Sequence, residues 1–178
     1  MRVIRFFLLF LSSTALFSQN IKLADSLMSV GQFSKAIDLY QKEANSIKFF
    51  KIAKAYEIYG DLKQAKKNYQ KYLLVDSLNV QVNYNYGLLL IELSKFKESQ
   101  EVFKKLVNKN ANPLYDYYLG YAYEKDNNPN KALEAYRVAS IKDSLHFKSN
   151  YKMAIILANN KEYEPVLIIC NRFLKQDN

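Results

Sequence analysis

The chain holds one imidazole, His146, and one thiol, Cys170, so the chemistry open to it is narrow. A thiolate activated by an imidazole base is a nucleophile, and this is the one pairing of that kind the composition permits. A transition-metal site would have to lean on carboxylates, and no Asp or Glu cluster has ligand spacing. The four glycines, Gly31, Gly60, Gly87 and Gly120, are scattered singly, and no phosphate-cradling loop can be built from them. Acids such as Glu101 stand three or four residues from Lys104 and Lys105, the spacing of ion pairs on a helix surface. The expectation is a protein with no catalytic residues, no metal and no cofactor. One cysteine also excludes an internal disulfide, so stability must come from packing.

Packing material is plentiful. Apolar residues make up 49% of the chain, with 15 Tyr and 11 Phe against 4 Gly and 3 Pro, which favours helices over sheet. Self-similarity organises them. The apolar-then-small pairs Ile52-Ala53, Tyr86-Gly87, Leu119-Gly120 and Met153-Ala154 recur at intervals of 34, 33 and 34. Three residues after each pair stands Tyr56, Leu90, Tyr123 or Leu157. Further on, a small residue precedes an aromatic by four: Ala65 and Tyr69, Ser99 and Phe103, Ala132 and Tyr136. Val166 and Cys170 keep that spacing in the last copy. Between the halves come Gly60-Asp61, Ser94-Lys95, Asn127-Asn128 and Lys161-Glu162 as turns. An earlier copy runs through Ala24, Leu27, Gly31, Phe33, Ala36 and Tyr40.

Apolar residues at i, i+3 and i+4 line one helix face. Each copy is therefore a helical hairpin, and hairpins of this kind bury their faces by stacking. Cys170 falls in the column of Tyr40, Tyr69, Phe103 and Tyr136, which predicts a buried, inert thiol rather than a nucleophile. His146 falls in the link before the last hairpin.

The alternation of small and aromatic residues at this period resembles the tetratricopeptide repeat (TPR). Asp116 to Tyr123 is similar to the family's first helix, and Gly60-Asp61-Leu62 with Ala65 and Tyr69 to its turn and second helix. The family's proline after the second helix is missing. Asp76-Ser77 and Asp143-Ser144 stand there instead and can cap the following helix. The resemblance implies an all-α, right-handed α-α superhelix of about five helical hairpins. The copies fall near 19–45, 46–79, 80–112, 113–146 and 147–178. It also implies that each first helix lines a concave groove. Spacing puts Phe50 and Lys54, then Tyr84, Leu88 and Ile91, then Tyr117 and Tyr121, then Tyr151 and Ile155 on the flank of those helices beside the core face. These are the candidate partner-binding residues. Aromatics there suit an extended or helical peptide with apolar anchors, although Tyr in this column also packs between neighbouring repeats. The family's carboxylate clamp is not assembled, because Asn85, Lys148 and Lys152 are present while Tyr84, Leu88 and Tyr118 hold the other columns.

Residues 1–18 stand apart. Arg2 and Arg5 precede an apolar run from Phe6 to Leu11 that persists to Phe17, the plan of a secretory signal peptide. The run is shorter than a spanning helix requires, and the absence of a Cys there argues against a lipoprotein. The expected location is therefore a bacterial-type periplasm or cell envelope. The net charge of +9 permits acidic partners or peripheral contact with an anionic membrane. Lys63, Lys66, Lys67 and Lys71 form a basic stripe on one second helix, and no nucleic-acid motif accompanies it. Val166 to Cys170 is unbroken apolar sequence, with Ile168 in the solvent-facing column of Asp38, Lys67, Glu101 and Glu134. With no polar capping helix after it, Ile168 and Ile169 are expected to form a C-terminal contact face, for a partner or a second copy. The resulting expectation is a non-catalytic protein-protein interaction scaffold that takes a partner peptide or subunit in its groove. The alternative is a structural or assembly factor attached to an anionic envelope surface through the basic convex face.

Overall fold

A computed structural model describes residues 20–175. The signal-peptide segment, 1–18, lies outside the described residues. The described chain is all-helical: α1 over residues 20–29, then α2 Phe33–Gln41, α3 Ile47–Tyr59, α4 Leu62–Leu73, α5 Val80–Glu92, α6 Phe96–Lys109, α7 Pro113–Lys125, α8 Pro129–Lys142, α9 Phe147–Asn159 and α10 Tyr163–Leu174. Each odd-numbered helix and its successor form a hairpin. Two compact units result, Met1–Val82 and Asn83–Asn178.

The hairpin turns share one backbone solution. Gly31, Gly60, Ser94, Asn127 and Lys161 all have positive φ, between 56° and 91°. In four of them the next residue's N–H reaches back five residues, as in Lys95 to Leu90 O at 2.7 Å and Glu162 to Leu157 O at 2.9 Å. This closes the first helix with a left-handed residue and satisfies carbonyls its last turn leaves unpaired. Asp61 and Asn128 then cap the second helix by accepting the amides of Gln64 and Lys131. Lys161 occupies the left-handed position with an L side chain, which costs about 1–2 kcal/mol. We expect Lys161→Gly to raise the unfolding free energy by about 0.5–1 kcal/mol, once glycine's greater freedom in the unfolded chain is subtracted. Urea denaturation followed by circular dichroism measures it; an unchanged or lower midpoint counts against the turn strain.

The links between hairpins differ from expectation. Asp76 and Asp143 do not cap the next helix; each accepts the amide two residues on, from Leu78 and Leu145, and so bends the link. The caps come later, at Asn112 for α7 and His146 for α9. Asn79 Oδ1 likewise accepts the Val82 amide at the start of α5.

In the first unit Ala24, Ala36, Ile37, Tyr40, Ile52 and Ala55 make one buried cluster. In the second, Ala132, Tyr136, Met153, Ile156, Leu157 and Ile169 make another. The repeating column is uniform: Ala65, Tyr69, Ser99, Phe103, Ala132 and Tyr136 are all fully buried. The mid-helix glycines explain how the rings fit. A Cβ on Gly87 would lie 2.7 Å from the Phe103 ring, and one on Gly120 2.7 Å from the Tyr136 ring.

The column fails in α10. Cys170 is exposed, and Ile169 is buried in its place. Two expectations are corrected together: the thiol is not a core residue, and Ile169 is not a contact surface. Of the expected pair Ile168 remains outward, at 55% exposure, beside Leu167 at 57%.

Candidate functional site

The polar contacts of the aromatic column come first, because they remove residues from the candidate surface. Tyr69 donates its hydroxyl to Glu57 Oε2 at 2.8 Å, and Tyr136 to Glu124 Oε2 at 2.7 Å, both across 12 residues. Phe103, the member without a hydroxyl, has Ile91 at the matching place. So Glu57, Ile91 and Glu124 form a column whose polarity follows the ring's hydroxyl. Ile91, expected on the binding flank, thus shares its position with residues that serve the core. Tyr40 keeps an acidic partner but not the spacing: it donates to Asp25, 15 residues back, which also pairs with Lys51 at 2.9 Å, while Met28 holds the column's place. A buried hydroxyl without a partner costs about 1–3 kcal/mol. Phe103→Tyr alone is expected to lower stability by about 1–2 kcal/mol, and adding Ile91→Glu to recover most of that. Thermal unfolding of both variants decides it; a double variant no better than the single removes the coupling.

Burial raises the Tyr69 and Tyr136 hydroxyls far above the ordinary value of 10.0, and the adjacent carboxylates of Glu57 and Glu124 push the same way. The folded state therefore keeps these protons where the unfolded chain releases them. Their stabilisation is complete below pH 10 and is lost as pH rises beyond it. A titration by ultraviolet absorbance should show part of the tyrosines ionising only with unfolding; smooth ionisation of all fifteen near pH 10 in a still-helical protein refutes this.

The candidate flank divides between the two units. In the first, Phe50 lies against Tyr69 and Tyr72, with ring centroids 6.1 and 6.3 Å away, and Lys54 pairs with Glu57 at 2.6 Å. Both are half-buried and locally engaged. In the second, Tyr84 packs against Phe103, Tyr115 and Tyr118 at 5.7–6.3 Å. Tyr117 contacts Tyr118, Tyr121, Tyr136 and His146. Burial, then the neighbouring tyrosines, raises the Tyr84 and Tyr117 hydroxyls. These rings mostly knit first helices to second helices and to the next hairpin. Spacing alone missed Tyr115 and Tyr118 as their partners, although the dense Tyr run from 115 to 123 was the available signal.

What stays open lies on α9 and its border with α7. Tyr151 is 56% exposed and Ile155 39% exposed. Tyr151 stacks on Phe147 with centroids 6.0 Å apart, and Phe147 is itself exposed. Half-buried Tyr121 adjoins, with Lys125 and Lys152 ammonium groups 5.3 and 5.4 Å from its ring centroid. Lys148 stands 5.9 Å from the Tyr117 ring centroid. Lys152 also ties α9 to α7 through Glu124 at 2.7 Å. Leu88 is half-buried on α5. The open surface is thus aromatic with cations at its edge, suited to apolar side chains flanked by acids.

The residues with chemical potential do not meet. His146 caps α9, its Nδ1 2.7 Å from Ser149 Oγ and accepting the Ser149 amide, while Cys170 is exposed on α10. Among the described residues no three His, Cys, Asp or Glu side chains gather as metal ligands, and no helix is long and apolar enough to cross a membrane.

Residues 80–112 match the family model described as tetratricopeptide repeat. No curated protein matches the sequence. Among solved structures, MamA residues 41-end from Desulfovibrio magneticus RS-1 superposes with a TM-score of 0.78 at 17% identity, covering 90% of this chain and 94% of that one. MamA AMB-1 gives 0.73 at 17% identity over 92% and 93%. YrrB, described as a TPR protein with an unusual peptide-binding site, gives 0.69 at 19% identity over 85% and 81%. At these identities the likeness is one of fold.

Proposed function

We propose that this chain, a tetratricopeptide-repeat protein by its matched repeat and its hairpin fold, works as a non-catalytic scaffold. It takes a partner peptide or subunit on the first-helix face of its second unit. The observation that carries this reading is the open Phe147–Tyr151–Ile155 surface on α9, bordered by the lysines around Tyr117 and Tyr121. Phe147 also packs edge-on against Phe173 at 5.9 Å, yet the three side chains leave a contiguous apolar surface open, the kind another molecule covers. The cations favour a partner segment with acidic residues among its apolar anchors. YrrB, with its peptide-binding site, gives a precedent for this use of the fold. The leader-like residues 1–18 support an exported protein, working in the periplasm or cell envelope.

The test compares Tyr151→Ala/Ile155→Ala with wild type in pull-downs from envelope extract, read by mass spectrometry. Both positions are exposed, so the fold is expected to survive. Specific partners should fall at least about tenfold, the loss of one aromatic hot spot. Partners retained by this variant but lost by Lys63→Glu/Lys67→Glu would replace the groove with the basic face of α4.

A further inference from the structure

The second unit contains the same notch twice, between successive second helices, with different chemistry each time. The first, about 320 Å³, lies between α6 and α8 and is lined by Val107, Leu119, Glu134 and Val138, with Asp116 and Lys131 at its sides. The second, about 380 Å³, lies between α8 and α10. Its lining follows the first at an interval of 34: Ile141 for Val107, Met153 for Leu119, Ile168 for Glu134 and Arg172 for Val138. Arg137 joins Arg172 in the second notch, and Pro165 replaces Lys131. Both acids of the first notch have gone, and two guanidinium groups have arrived.

Among the described residues no carboxylate answers those charges. Arg172 reaches Ser140 Oγ, Ser144 O and Asn150 Oδ1 at 3.2–3.3 Å, all through Nη1 and all neutral acceptors. Arg137 is exposed and has no hydrogen-bonding or ionic partner among the described residues. Around them Ile141 is 76% exposed and Ile168 55% exposed. These isoleucines stand at the rim, beyond what a small enclosed ligand would cover, so the occupant must bring surface of its own. Guanidinium forks recognise carboxylates best.

We propose that the α8–α10 notch is a second docking site, separate from the α9 aromatic surface. It takes a peptide segment that places a carboxylate side chain between large apolar ones. The acid meets Arg137 and Arg172, and the apolar neighbours cover Ile141 and Ile168. The α6–α8 notch has Glu134 in place of Ile168 and Val138 in place of Arg172, so it offers the same segment no guanidinium and serves as an internal control.

The experiment is nuclear magnetic resonance with methyl-labelled full chain and two blocked synthetic peptides, Gly-Ser-Leu-Glu-Leu-Ser-Gly and its Gln counterpart. The Glu peptide should shift the Ile141 and Ile168 methyls, leave Val107 and Val138 unmoved, and bind at least tenfold more tightly than the Gln peptide. Arg137→Gln/Ile168→Glu should abolish the shifts, with Arg137→Gln alone as the substitute if the pair fails to fold. Tyr151→Ala/Ile155→Ala should leave them intact, which separates this site from the scaffold surface. Equal binding of both peptides, equal shifts at both notches, no shift at millimolar peptide, or loss with the Tyr151 variant overturns the proposal. So does a dimer seen in sedimentation that Ile168→Glu dissolves, because the notch then belongs to a second copy.

Discussion

Lys142→Met is expected to lower the unfolding free energy by about 3 kcal/mol, far more than the loss of an ordinary surface lysine. Lys142 Nζ lies 2.6 Å from Asp116 Oδ2, and the Asp116 side chain is 3% exposed while that of Lys142 is 22% exposed. The pair joins the end of α8 to the first turn of α7, across the hairpin. Removing the cation strands a carboxylate that water barely reaches, and an unpaired buried charge is the costly outcome. The converse is mild. Asp116 stands in the column of Asn83 and Asn150, both buried, so this position accepts an amide. Asp116→Asn/Lys142→Met should therefore recover most of the loss. Chemical denaturation of the two single variants and the double gives the coupling. If the double variant is no more stable than Lys142→Met alone, the buried charge is not what the lysine serves.

How far the sequence discloses this molecule depends on whether a residue's role repeats. The column of Ala65, Ser99 and Ala132 was legible because stacked hairpins impose one environment on residues about 34 apart, and the structure buries all three completely. The hairpin turns were legible for the same reason. Cys170 shows where the rule ends. At 136 a ring reaches under Gly120 and is held by Glu124; at 170 the sequence offers a thiol, with Ala154 and Ala158 in the columns of Gly120 and Glu124. It has neither the volume nor the hydrogen bond to claim the core, so the larger Ile169 does. The aromatic flank was half legible. Spacing located Tyr84 and Tyr117 beside the core face, but whether a ring there is covered depends on Tyr115, Tyr118 and Tyr136, which belong to other elements or other columns. The arginine notch was visible only through Ile168, which stands where the earlier copies carry charged residues; the rest of its meaning lies in a contrast. Val138 against Arg172, and the arrival of Arg137, become informative only once the lining of each notch is known.

Gly120→Ala should change sign with its background. In the wild type the new methyl would lie 2.7 Å from the Tyr136 ring and 3.1 Å from the Ala132 carbonyl oxygen. The ring cannot swing aside, because it is fully buried and its hydroxyl is tied to Glu124. Overpacking of this kind costs about 1–3 kcal/mol, more than the roughly 1 kcal/mol that alanine's helix propensity returns. Tyr136→Ala is worse, at about 4 kcal/mol, since it empties a core position and takes one of its two partners from Glu124. In that background, however, the ring is gone, and of the three nearest contacts only the Ala132 carbonyl oxygen at 3.1 Å remains, a matter of a few tenths of an ångström. Helix propensity and partial filling of the void then act together, and Gly120→Ala should stabilise by about 1 kcal/mol. Unfolding midpoints of the four proteins read the sign directly. If Gly120→Ala destabilises by the same amount with and without the Tyr136 ring, the close approach of ring to glycine is not what keeps residue 120 bare, and the packing rule for the whole column loses its physical basis.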